Sequence, residues 1–169
     1  MPIVLDGTNG VTTNSGTLIS ATTIGVGGAT PSTSGAGITF PATQSASSDA
    51  NTLDDYEEGT FTPTAASGFT TISGTPAYSG TYTKIGNLVT IRIKQTTGVI
   101  TWTAGANFTN LPFVPDIVGG GAGSATNGQP DYSSSVLTYR TGGGAGSIYL
   151  ATARATNNSD LVITATYFI

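Results

Sequence analysis

The feature that most constrains the fold is the alternation of apolar and polar side chains within Leu88–Lys94, which is regular from Val89 onward. One face of this segment carries only β-branched apolar residues, namely Val89, Ile91 and Ile93. The other face carries Thr90, Arg92 and Lys94. A period of two residues is typical of a half-buried β-strand. Gly80–Ile85 supplies a second strand, and Gly86-Asn87 forms a two-residue turn of the type that closes hairpins. The pattern therefore predicts a β-hairpin.

Further strand-like runs follow this hairpin, at Ile100–Thr103, Ser135–Arg140, Ser147–Ala153 and Leu161–Ile169. The last of them has apolar residues on both faces, which is typical of a strand at the centre of a sandwich or at a subunit interface. Tyr167 and Phe168 are therefore candidate docking residues. The hexapeptide GGGAGS occurs at 119–124 and again at 142–147, and we interpret both copies as loops. The predicted fold class is all-β, with an antiparallel sandwich or jelly-roll-like domain.

Composition divides the chain into three parts. Residues 1–50 are rich in Gly, Ala, Ser and Thr and contain a single aromatic residue, and they predict an extended arm that gains its order by packing on other chains. Residues 51–58 form an acidic junction, and residues 59–169 form the β domain. Within the arm, short β-like runs lie at Ile3–Leu5, Thr17–Ser20 and Thr23–Val26.

Several functional classes are disfavoured by what the sequence lacks. It contains no cysteine and no histidine, which removes thiol chemistry, Ser-His-Asp catalysis and the commonest transition-metal ligand. The net charge of −4, with only five basic residues, disfavours nucleic-acid binding. We find no apolar run long enough to cross a membrane and no signal-peptide pattern at the start, so folding in a cytoplasm is expected. We expect no enzymatic activity and no cofactor.

Five of the nine acidic residues lie within ten positions, with Asp49 just before the acidic junction and the others inside it: Asp54, Asp55, Glu57 and Glu58. Two carboxylates of a glycoside hydrolase would need a cleft around them, which a crowded run does not suggest. A calcium site would be chemically reasonable, but the order of residues does not follow the EF-hand pattern. The sequence favours a solvated or inter-chain salt-bridged hinge. Leu53 and Tyr56, three positions apart, would both face an apolar pocket if this segment formed one helical turn.

Two further surfaces are candidates for contacts with partners. Arg92 and Lys94 share one strand face, where they could meet the acidic junction of a neighbouring subunit. Trp102, flanked by threonines, is expected in the core or at an interface. Tyr132, in the loop GQPDYSSS, is a candidate contact for a sugar ring.

Three segments resemble those of bacteriophage virion proteins. The start, MPIVLDGTNGVTT, is similar to the opening of phage tail-fibre and head-associated proteins. The junction TLDDYEEGTFTPT resembles the segment that begins their C-terminal β module. YTKIGNLVTI at Tyr82–Ile91, followed by NLPF at Asn110–Phe113, resembles the hairpin and a later strand of that module.

This resemblance implies a homotrimeric structural protein of the phage particle. Residues 1–50 would attach it to other virion proteins, and the β domain would project and contact host surface polysaccharide. Fibres of this kind usually carry a long repetitive shaft, whereas only about fifty residues precede the domain here. A short tail fibre or adhesin is the first expectation. A capsid decoration protein or head fibre is the alternative.

Overall fold

The computed structural model describes residues 23–44, 46–116, 121–126, 135–139, 146–151 and 153–169. Every regular element in these ranges is a β-strand, which confirms the all-β prediction. The strands in chain order are β1 Thr23–Gly25, β2 Gly37–Thr39, β3 Tyr56–Phe61, β4 Thr64–Ile85, β5 Leu88–Thr109, β6 Gly121–Thr126, β7 Ser135–Tyr139, β8 Ile148–Leu150, β9 Arg154–Asn158 and β10 Val162–Phe168.

The chain divides into two compact units, Met1–Gln44 and Ser45–Ile169. In the first unit, β1 and β2 pair in parallel, and Ile24 lies opposite Ile38. These two side chains are 48% and 58% exposed, so the pair encloses no core of its own. The strand predicted at Thr23–Val26 is confirmed as β1, whereas the predictions for Ile3–Leu5 and Thr17–Ser20 lie outside the described residues.

The second unit is organised around one long antiparallel hairpin made by β4 and β5. Ile85 pairs with Leu88, and Gly86-Asn87 closes the hairpin as a two-residue turn, as predicted. Gly86 has a φ of 56°, in the left-handed region that such a turn requires. Val89, Ile91 and Ile93 are at most 1% exposed, so the alternating pattern correctly identified the buried face.

The hairpin folds back on itself, and this produces the two layers of the domain. Phe61 at the end of β3 pairs with Gly80 of β4, yet only Thr62 and Pro63 separate Phe61 from the start of β4. Three chain steps span at most about 11 Å. A straight strand from Thr64 to Gly80 would instead measure roughly 50 Å at about 3.3 Å per residue. The first half of β4 must therefore lie back over the second half.

The bend lies where β4 and β5 lose regular register, between Thr71 and Tyr78 on β4. Gly74 and Gly98 have φ values of 68° and 80°, which allow the strands to turn sharply here. Buried Gln95 stabilises the bend by donating from Nε2 to the Gly98 carbonyl at 2.8 Å. No periodic signal in the amino-acid sequence marks this bend.

The remaining strands lie along the other edge of β5. Going along β5 from its start, they are β10, β9 and β8, and all of them pair antiparallel to it. β6 and β7 then connect β10 to β8, so this set of pairings forms a closed cycle. The loop interpretation of the first GGGAGS copy is wrong in part, because Gly121–Thr126 is strand β6.

The core lies between the two layers. One layer contributes the buried residues Val89, Ile91, Ile93, Ala125, Leu161, Ile163, Ala165 and Tyr167. The other contributes Ile100, Trp102, Ala106, Phe108, Ile148 and Leu150. The rings of Tyr78 and Phe108, which belong to different halves of the hairpin, lie 5.0 Å apart at 78°. The predicted core position of Trp102 is confirmed, at 4% exposed.

Candidate functional site

The acidic junction leads directly into edge strand β3, which pairs with the closed end of the hairpin. Tyr56 lies opposite Ile85, and Phe61 lies opposite Gly80. The helical turn considered for Leu53 and Tyr56 is absent, because residues 52–55 are irregular and Tyr56 begins the strand. Leu53 is 55% exposed. The sequence pattern does not predict this strand, because Glu57 and Glu58 interrupt the β-strand pattern between Tyr56 and Phe61.

Asp55 and Lys84 form an ion pair inside the domain. Their side chains are only 8% and 10% exposed, and the ammonium group of Lys84 lies 5.7 Å from the centre of the Phe113 ring. The Asp55 carbonyl accepts a hydrogen bond of 3.0 Å from the Gly86 N–H, which ties the junction to the hairpin turn. The expectation of a solvated junction is thus wrong for Asp55. Lys84, the partner of Asp55, lies on the same face of β4 as Tyr82 and is distant from Asp55 in the sequence.

Two aromatic rings, one from β3 and one from β4, each lie over a glycine of the opposite strand. Tyr82 of β4 covers Gly59 of β3, and Phe61 of β3 covers Gly80 of β4. A Cβ atom at Gly59 would lie 2.7–2.8 Å from atoms of the Tyr82 side chain, which is closer than such atoms approach. These glycines leave room for the rings, and covering a glycine with an aromatic side chain stabilises a strand pair at its weakest point. The EEGTF and SGTYTKIG segments are therefore sterically complementary.

The two glutamates of the junction accept hydrogen bonds from tyrosine hydroxyls. Tyr82 donates to Glu57, and this hydrogen bond raises the pKa of Tyr82 to about 12. Tyr56 donates to Glu58 at 2.7 Å, and this raises the pKa of Tyr56 above its ordinary value. Within the described ranges, no group of three or more acidic side chains is arranged to bind a metal ion. The junction acids act here as acceptors and ion-pair partners within the chain.

The NLPF segment packs against the same place. Asn110 has a φ of 61° and donates from Nδ2 to the Thr62 carbonyl at 2.6 Å. The Phe113 ring lies edge-on to Tyr82, with centroids 5.4 Å apart. The Phe113 carbonyl accepts a hydrogen bond of 3.1 Å from the hydroxyl of buried Tyr167. The junction, the hairpin and NLPF thus form one packed cluster.

The outward face of the same strands carries an exposed apolar row. Strand register places its four members side by side across β3, β4, β5 and β10: Tyr56, Ile85, Leu88 and Phe168. Ile85, Leu88 and Phe168 are 49%, 36% and 45% exposed. We call these four residues the apolar row. The sequence pattern indicates Tyr56 and Phe168 as candidate docking residues. For Ile85 and Leu88 it indicates only that they flank the hairpin turn.

The other predicted docking residues divide between the two faces. Arg92 and Lys94 are exposed on the outward face, and neither forms an ion pair with any described residue. Tyr167 lies on the inward face at 1% exposed, and burial raises the pKa of its hydroxyl above the ordinary value. It therefore presents no free surface for docking. Tyr132, the predicted sugar contact, lies outside the described residues.

The sequence matches no protein-family model, and neither the curated proteins nor the solved structures contain a significant match. The part of the chain that the structure describes contains no helix long and apolar enough to cross a membrane.

Proposed function

We propose that this chain is a non-enzymatic structural protein of a bacteriophage particle. It forms a short homotrimeric tail fibre that is attached through residues 1–50 to other virion proteins and contacts polysaccharide on the host surface. The observation that carries the proposal is the cluster described above. Two of the segments that resemble phage proteins, the junction and the hairpin with NLPF, are separated in sequence, yet they fill complementary positions in one packed unit. Chance similarity of separate short segments would not require that their residues fit one another.

The outward face supports assembly from several copies. Three large apolar side chains of the apolar row are between one-third and one-half exposed. Covering the exposed part of each would contribute roughly 1 kcal/mol, since full burial of such a side chain contributes about 1.5–3 kcal/mol. Arg92 and Lys94 lie on the same face. A neighbouring copy could cover the row and bring acidic residues near these cations.

The roles of the junction acids support a structural function. Asp55 pairs with Lys84, and Glu57 and Glu58 are held by tyrosine hydroxyls. A general acid of a glycoside hydrolase needs a carboxyl group with a raised pKa facing a substrate cleft. Asp55 and Glu57 instead bind Lys84 and Tyr82 of β4, and Glu58 binds Tyr56 of its own strand. The motif thus fastens the start of the β domain to its hairpin.

Purified protein and purified phage particles together test this function. The protein should sediment as a trimer, bind intact host cells, and be detected by antibody labelling at the tail of the particle. Labelling on the capsid would refute the assignment as a tail fibre and would support a capsid decoration protein or head fibre instead. Absence from particles would refute a virion function altogether. Release of oligosaccharide from host polymer by the purified protein would refute the non-enzymatic assignment.

A further inference from the structure

An open cleft of about 530 Å³ lies inside the bend of β4. One side is formed by the connection from β3, and the other by the two halves of the folded strand. Its described lining includes Thr62, Thr64, Phe69, Thr71 and Tyr78. Its volume falls within the range of about 300–1,000 Å³ that is usual for small-molecule sites. The cleft exists because the hairpin folds back.

The two aromatic walls of the cleft are held in place from behind. The rings of Phe69 and Tyr78 both pack on Phe108, at centroid distances of 4.8 and 5.0 Å. Phe108 is completely buried, so it forms a fixed support between the layers. Walls that do not move on binding lose little conformational entropy when a ligand arrives. The cleft is in this sense a preformed site.

The chemistry of the lining is apolar with hydroxyl groups and contains no acid or base. Tyr78 contributes a phenol whose hydroxyl makes no hydrogen bond to any described residue, and partial burial raises its pKa above the ordinary value. Thr62, Thr64 and Thr71 add hydroxyls. A cleft of this kind can stack an apolar ring face against an aromatic side chain and exchange hydrogen bonds with hydroxyls at the ring edge. It offers no cation to a carboxylate or sulfate group.

We propose that this cleft binds an uncharged pyranose unit of a neutral polysaccharide. The inference rests on the proposed function, because it names the place and the charge class of the contact with the host surface. The Tyr78 ring would stack on the sugar ring, and its phenol would form a hydrogen bond with one sugar hydroxyl. Phe69 would limit how deeply the sugar enters. Thr71 would bond at the rim. Acidic polysaccharides are excluded because nothing in the cleft offsets the desolvation of their charge.

Nuclear magnetic resonance with a panel of hexasaccharides tests the cleft directly. The probes are cellohexaose, maltohexaose and mannohexaose, with an oligogalacturonate of equal length as the charged comparison. At least one neutral probe should shift the backbone amides of Phe69, Thr71 and Tyr78, and the galacturonate should not. Trp102, the single tryptophan and the cross-strand partner of Phe69, provides a second readout by fluorescence.

Matched variants give the expected sizes of effect. Tyr78→Ala should weaken binding about tenfold or more, because it removes both stacking and the hydroxyl. Tyr78→Phe, which keeps the ring, should weaken it about threefold. Thr81→Ala, an exposed threonine on the outward face, should leave the affinity unchanged.

Two results would overturn the inference: no neutral probe shifts the cleft amides, or Tyr78→Ala binds as tightly as the wild type. A separate measurement of binding to host cells distinguishes this failure from failure of the proposed function. If the wild type and Tyr78→Ala bind cells equally well, the proposed fibre function is retained and the sugar site in the cleft is refuted. If the wild type binds neutral sugar in the cleft but is absent from phage particles, the virion function fails and the sugar site stands.

Discussion

Replacing Lys84 by Met should destabilise the domain by about 3 kcal/mol. The substitution keeps the length and the apolar stem of the side chain but removes the cation from Asp55, which is only 8% exposed on its side chain. Removing one partner of a buried ion pair costs about 3–5 kcal/mol, and the residual exposure places this pair at the lower end. Part of the loss is the contact of the ammonium group with the Phe113 ring, worth about 0.5–1 kcal/mol.

Urea unfolding followed by the fluorescence of Trp102 measures this change. With a slope of about 1–3 kcal/mol/M, the midpoint should fall by roughly 1–3 M. Protein concentration is kept constant, because the stability of an oligomer depends on it. Thr81→Met is the control, since Thr81 is exposed on the outward face of the same strand and the change introduces the same side chain, and it should change the stability by less than about 0.5 kcal/mol.

The double variant Asp55→Leu with Lys84→Met makes the test sharper. Replacing both members of a buried pair by apolar residues is often neutral or stabilising. The double variant should therefore be more stable than Lys84→Met alone, with a coupling energy of about 2 kcal/mol or more. The ion pair has no structural role if Lys84→Met behaves like Thr81→Met. The same conclusion follows if the two single changes simply add.

Three further predictions concern the glycines, the tyrosines and the outward face. Gly80→Val should displace the Phe61 ring and cost about 1–3 kcal/mol in urea unfolding; unchanged stability would contradict the packing described. Glu57→Gln should lower the pKa of Tyr82 from about 12 toward 10.0, measured by resonance titration of the ring. Because the folded wild type holds this proton more tightly than the unfolded chain, its stability should fall as pH rises from 10.0 through about 12, and the variant should lose less. An unshifted pKa in the variant would exclude the hydrogen bond. Phe168→Ser should convert trimer to monomer in sedimentation without loss of folded structure, and a stable trimer would exclude the apolar row as the interface.

Much of the fold could be predicted because it follows from local pattern. The hairpin at Gly80–Lys94 was fixed by period-two alternation and by a turn whose glycine adopts a positive φ. The bend could not be predicted in the same way. Gly74 and Gly98 interrupt the strands, but a glycine in a strand can also mark a bulge or a loop. The fold-back is evident only in the structure, from the pairing of Phe61 with Gly80 across a short connection and from the contact of Tyr78 with Phe108.

The candidate site was predicted only in part, for two physical reasons. Pairing of Asp55 with Lys84 depends on strand register, which is set by the hairpin and not by the acidic run itself. The C-terminal strand is apolar on both faces, so the pattern could not show that Tyr167 faces the core and Phe168 faces solvent. Ile85 and Leu88 gained significance only when register placed them between Tyr56 and Phe168.

Labelling of intact phage particles with an antibody against this chain tests the central claim, that the chain is a virion protein, most directly. The account predicts label at the tail, together with recovery of the chain from particles after washing in high salt. Label on the capsid would contradict the assignment as a tail fibre. Complete absence of the chain from purified particles would contradict its assignment as a virion protein.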